Sequence, residues 1–164
     1  MNAVPQAPAV SILMYHQVGE FPSPKAHRAC FCHVKRFASQ MRYLQLFGYS
    51  VISLDAAYKG LFEGAPLPER PVVLTFDDGY ENFREYAWPI LQRYGFPASV
   101  FLVTERLGQP AGWLDDGGSN APLMGAETIR ALHREGVRFG SHSLSHPRLS
   151  KIDSARMRAE IIDS

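Results

Sequence analysis

Short apolar segments alternating with amphipathic helices predict an α/β fold built from parallel βαβ units. The strand segments are apolar along their whole length, as expected when both faces of a sheet are covered. At 164 residues, with 46% hydrophobic and 20% charged side chains, the chain has room for one ordinary globular core.

The elements follow in order. Residues 10–16, "VSILMYH", form a β-branched apolar run that reads as a first strand. A loop with prolines at 22 and 24 leads through "HRACFCH", which reads as an irregular loop into a helix. Over residues 34–48, Phe37, Met41, Leu44 and Phe47 recur at helical spacing, and Gly48 is the stop. Strands are expected at 49–54 and 72–76. Residues 80–95 make a helix bent near Pro89 and closed by Gly95. A fourth strand covers 98–103. The glycines and prolines of 108–125 make that stretch a loop. A helix over 126–136 ends at Gly136, a fifth strand covers 137–142, and a last helix starts near 152 with Asp153 or Ser154 as its cap.

Bulk properties exclude several functions. The net charge is +1 and no basic block stands out, so nucleic acid and anionic membrane are not expected partners. No apolar run is long enough to span a bilayer. The first ten residues lack the charged start and apolar stretch of a secretory signal, which leaves a cytoplasmic protein or one whose leader is not included in this chain. Oligomeric state is not indicated. Cys30 and Cys32 sit too close in sequence for an unstrained disulfide, and with His27 and His33 they match no common structural zinc spacing.

In parallel α/β folds the site lies at the carboxyl ends of the strands. Here those ends carry His16, the pair Asp77 and Asp78, and His142 with His146. Singly, each has an ordinary structural role, as helix cap, rim histidine or chance pair. Together they are more informative, because adjacent carboxylates repel and need a compensating charge. Two histidines with one carboxylate make a facial set that leaves metal positions open, a catalytic style of site. The second carboxylate is then free as a base. Trp88 and Trp113 read as packing residues. Glu105, Arg106, Asp115 and Asp116 read as solvated loop charges, and His133 as exposed.

"TFDDG" followed by "GVRFGSHSLSH" resembles the first two motifs of the polysaccharide deacetylases, carbohydrate esterase family four. "ILMYHQV" resembles the branch that acts on poly-N-acetylglucosamine. The resemblance implies a distorted (β/α) barrel and a metal-dependent enzyme that removes N-acetyl groups from amino-sugar polymers or oligomers. It implies Asp77 as general base, Asp78, His142 and His146 as metal ligands, and His16 as general acid. Zinc is the first expectation for the divalent metal, and nickel, cobalt or iron would suit the same ligands. The family's later Arg-containing and "YP-x-G" motifs have no counterpart in the sequence. Two other readings stay open: a cyclic amide or imide hydrolase on the same fold, and an inactive metal-containing carbohydrate-binding module. Five strands are also fewer than a barrel of about 250 residues uses. The expected organisation is an N-terminal extension over 1–9 and a domain over 10–164 that is truncated at its C-terminus, with open sheet edges and exposed apolar surface.

Overall fold

A computed structural model describes residues 9–21, 27–113 and 121–164. Strand β1 (Ser11–Tyr15) is followed by β2 (Gln17–Gly19), β3 (Phe31–His33), helix α1 (Val34–Leu46), β4 (Ser50–Val51) and α2 (Leu54–Phe62). Then come β5 (Pro71–Phe76), α3 (Trp88–Tyr94), β6 (Ser99–Leu102), α4 (Ala126–Arg134), β7 (Arg138–Ser141) and α5 (Ser154–Ile162).

The main sheet is wholly parallel, in the order β1-β5-β6-β7. Val72 of β5 pairs with both Ser11 and Val51, so β4 lies beside the start of β5 on the side away from β1. Alternation along the strands divides the sheet into two faces. Leu13, Tyr15, Val72, Leu74, Phe76, Val100 and Leu102 join the core with Phe37, Met41 and Leu44 of α1 and Leu91 of α3. Phe76 is central to it, ringed by Tyr15, Phe37 and Phe83 at centroid distances of 5.3, 5.9 and 4.7 Å. On the other face Val73, Thr75 and Ser99 are buried, whereas Ile12 and Met14 of β1 are 58% and 60% exposed. The expectation of apolar residues covered on both faces therefore fails at β1, an outer strand of this sheet.

Other differences have local causes. "HRACFCH" is not irregular throughout: after a 3-10 turn, Phe31–His33 pairs in parallel with Gln17–Gly19, and the His33 Nδ1 caps α1 by accepting from the Lys35 N–H. The predicted second strand shrinks to Ser50–Val51, because Ser53 accepts from the Ala56 N–H and starts α2, a helix hidden by its short length and central Gly60. The helix over 80–95 divides at the expected place. A π-helical turn over Phe83–Ala87 runs directly into α3, with Pro89 at the junction, where its missing N–H interrupts the helical hydrogen bonds. Asp153, not Ser154, caps α5. Prolines 22 and 24, Asp115, Asp116 and residues 1–8 lie outside the described residues. No described helix is long and apolar enough to cross a membrane.

Candidate metal centre

Three strand ends build the site. Just past β5, the Asp77 N–H donates to Tyr15 O at the end of β1 (2.8 Å), which ties the aspartate pair to the segment leading into His16. Asp78 and Gly79 both take left-handed backbone, with φ of 72° and 76°. Glycine adopts that conformation freely; aspartate does so at a cost, and such strain collects at functional sites. Past β7, the His142 N–H donates to Leu102 O (2.7 Å), and the chain turns through Ser143 and His146, again left-handed at 66° and 63°. The Ser143 Oγ accepts from the His146 N–H at 3.1 Å.

These turns aim three side chains at one point. Asp78 Oδ1 lies 3.4 Å from His142 Nε2 and 3.3 Å from His146 Nε2. All three ligand atoms fall within 4.8 Å of one another. Asp78 is buried, yet its Oδ1 has no hydrogen-bond partner. An orphaned buried carboxylate oxygen facing two imidazole nitrogens fits a cation. Ligand atoms about 2.0–2.2 Å from a tetrahedral zinc would stand about 3.3–3.5 Å apart, the spacing that both aspartate–histidine pairs already have. Cys30, Cys32, His27 and His33 form no such cluster among the described residues.

The electrostatics agree. Burial, and then the neighbouring Asp77, push the Asp78 carboxyl up to about 7. Burial, with His142 and His16 beside it, lowers His146 to about 4 and so keeps that imidazole neutral. A metal ligand has to be neutral imidazole, and a bound cation would relieve the carboxylate. His16 lies within electrostatic reach of Asp77 and His142; burial lowers its pKa, Asp77 opposes that, and His142 adds to it. The five residues singled out in the sequence are thus brought together.

Against this geometry, the polysaccharide deacetylase family model matches residues 64–164. The chain belongs to the polysaccharide deacetylase family. That match takes in Asp77, Asp78, His142 and His146 and leaves His16 outside it. YxkH of Bacillus subtilis is 26% identical over 153 residues, which are 93% of this chain and 49% of that protein. A Staphylococcus aureus poly-beta-1,6-N-acetyl-D-glucosamine N-deacetylase is 26% identical over 142 residues, 84% of this chain and 45% of the relative. The chain spans about half the length of these deacetylase relatives. Among solved structures, the Streptococcus pyogenes deacetylase PplD in complex with acetate superposes with a TM-score of 0.78 at 26% identity, covering 97% of this chain and 67% of that one. IcaB from Ammonifex degensii shares the fold at a TM-score of 0.70 and 24% identity, covering 90% of this chain and 57% of that one. The parallel strands are those of a deacetylase (β/α) barrel.

Some site residues were not legible in the sequence. Trp113, read as a packing residue, lies against the His146 ring at 4.4 Å and edge-on to Tyr80 at 6.4 Å. Asn82 donates to the Oε1 of fully buried Gln17 at 3.0 Å, linking the segment after the aspartate pair to the residue after His16. Glu160 of α5 accepts from both the N–H and the hydroxyl of Ser145, next to His146, at 2.8 and 2.5 Å. Burial works to raise the Glu160 pKa, but the Ser145 hydrogen bonds prevail and lower it. Trp88, by contrast, packs in the core as read, and its indole N–H donates to Glu135 at 2.6 Å.

Proposed function

We propose that this chain carries the catalytic metal centre of a deacetylase that hydrolyses the N-acetyl amide of an amino-sugar polymer or oligomer of the N-acetylglucosamine type. The observation that carries this reading is the convergence of Asp78 Oδ1 with two histidine nitrogens, beside a second carboxylate, Asp77, that is not part of the converging set. Metal holding alone gives Asp77 no task. The names of the Staphylococcus aureus relative and of an Escherichia coli one, 40% identical over 72 residues covering 44% of this chain and 11% of that protein, supply the substrate class.

Asp78, His142 and His146 would hold the metal, with zinc the first choice for this donor set. Once bound, a divalent cation polarises an amide carbonyl and makes a water more acidic. Asp77 is half-buried at the edge of that centre, and its carboxylate takes the proton of the attacking water. His16, within electrostatic reach of Asp77, supplies a proton to the departing nitrogen. Its imidazole is charged less readily than a free one, and the Asp77 carboxylate is the neighbour that favours the charged form. Gly79 lets the backbone pass close under Leu102, where a Cβ would come within 2.6 Å of the leucine Cδ2.

The test is acetate release from N-acetylglucosamine oligomers while zinc or cobalt is titrated into metal-free protein. Metal-dependent release that is lost in His142→Ala and His146→Ala supports the reading. Metal binding with no release from any N-acetylated sugar, or release that continues in chelator, refutes it.

A further inference from the structure

We propose that Glu160 is the positioning residue of the metal centre, the side chain that holds the 142–146 turn so that both histidines aim at Asp78. This rests on reading Asp78, His142 and His146 as metal ligands. The turn needs holding, because two of its five residues, Ser143 and His146, are non-glycine residues in left-handed backbone. Such a conformation persists only where the surroundings impose it.

Two elements do so. On one side, the 3-10 turn Thr104–Arg106 grips the backbone: the Thr104 N–H donates to Ser143 O at 3.3 Å and the Glu105 N–H to Leu144 O at 2.9 Å. On the other side stands Glu160 of α5. Its backbone carbonyl accepts from the Leu144 N–H at 3.1 Å, and its two carboxylate oxygens take the Ser145 N–H and the Ser145 hydroxyl separately. Ser145 is the residue immediately before His146, so this bidentate grip fixes the peptide that launches the ligand.

The burial of α5 points the same way. Met157, Ile161 and Ile162 are 37%, 58% and 60% exposed, whereas Glu160 is the buried residue of the helix, at 4%. A helix docked for packing alone would turn its apolar side chains inward. This one turns a carboxylate inward, onto hydrogen-bond donors of the metal-ligand turn. Groups that hold metal ligands in place are typically worth about 10–100-fold in metal affinity.

The experiment titrates cobalt(II) into the metal-free 164-residue chain, following the visible spectrum and the affinity. Glu160→Ala should weaken binding by about 10–100-fold. Glu160→Gln keeps the size and one acceptor oxygen, folds more readily, and should fall between alanine and the wild type, with an altered cobalt spectrum at saturation. Glu135→Ala is the control for a merely structural helix tie. It removes the acceptor of the Trp88 indole N–H and of Gln92 Nε2, ties that run to α3 and not to the ligand turn. It should lower the unfolding midpoint and leave cobalt affinity unchanged. Wild-type affinity and spectrum in Glu160→Gln, or an effect of Glu160→Ala confined to the unfolding midpoint, would overturn the proposal. Cobalt binding that Asp78→Asn leaves unchanged would remove the metal-site reading itself, and the proposal with it.

Discussion

Replacing Asp78 by asparagine should stabilise the metal-free protein, and only above acid pH. In the fold the Asp78 carboxyl is pushed up to about 7 from an ordinary 3.8, by burial first and Asp77 second. Between about pH 4 and about pH 7 the unfolded chain has released this proton while the folded chain retains it. Stability from this group therefore falls as pH rises through that window. A displacement of about three pH units, at 1.36 kcal/mol per unit, amounts to on the order of 4 kcal/mol at pH 8. An asparagine at this position carries no charge to desolvate and tolerates left-handed backbone at least as well as aspartate. His146 titrates in the opposite sense, losing stability as pH falls from its ordinary 6.5 towards about 4, a loss confined to the acid side of the comparison. The assay is urea unfolding in chelator at pH 4.5 and pH 8. The gap between variant and wild type should be small at pH 4.5 and several kcal/mol in favour of the variant at pH 8. Saturating zinc should reverse the order, because a ligand stabilises only the protein that binds it. A variant less stable than wild type at pH 8 without metal would show that Asp78 is satisfied by the protein itself and that the orphaned oxygen has been misread.

Other outcomes follow from the same geometry. Metal affinity of the wild type should drop about tenfold per pH unit below about 7, as the metal must displace the Asp78 proton; a flat calorimetric affinity from pH 7 to pH 5.5 would contradict this. Asp77→Asn should keep the metal, lose about 10²–10⁴-fold in turnover, and bind metal further into acid, since Asp77 no longer raises Asp78. Retained turnover would remove Asp77 as the base. Gly79→Ala should cost about 2 kcal/mol by chemical unfolding, from left-handed alanine and the displacement of Leu102; an unchanged midpoint would show that the aspartate turn is pliable.

The convergent side chains were legible because they sit at strand ends and in unbroken short motifs. Asp77, Asp78, His142 and His146 follow apolar runs whose parallel pairing brings their ends together. The sheet was legible for the same reason, although β4 was read longer than its two residues and the β2–β3 pair is too short for any periodicity to register. Glu160 was not legible, because the pattern of α5 is inverted: its isoleucines face out and its glutamate faces in. Trp113 was not, because a lone tryptophan in a glycine-rich loop gives no sign of which surface it will meet. The exposure of Ile12 and Met14 was hidden too, since an apolar strand reads alike in the middle of a sheet and on its outside.

The all-parallel pairing also bears on the order of folding. Ser11 pairs with Val72, so β1 cannot find its neighbour until everything from the loop after it to the start of β5 has been drawn together. Closing such loops has to come before the contacts reward it, which makes sheets of this kind slow to form. The proposed metal ligands lie further apart still, on turns that follow β5 and β7 and that take shape only once β6 has joined the two. A cation can therefore recognise the protein only when the sheet is essentially complete, and it has little to offer the transition state. In stopped-flow experiments metal should slow unfolding while refolding proceeds at the metal-free rate, so the ion acts as a latch on a finished structure and not as a seed for it.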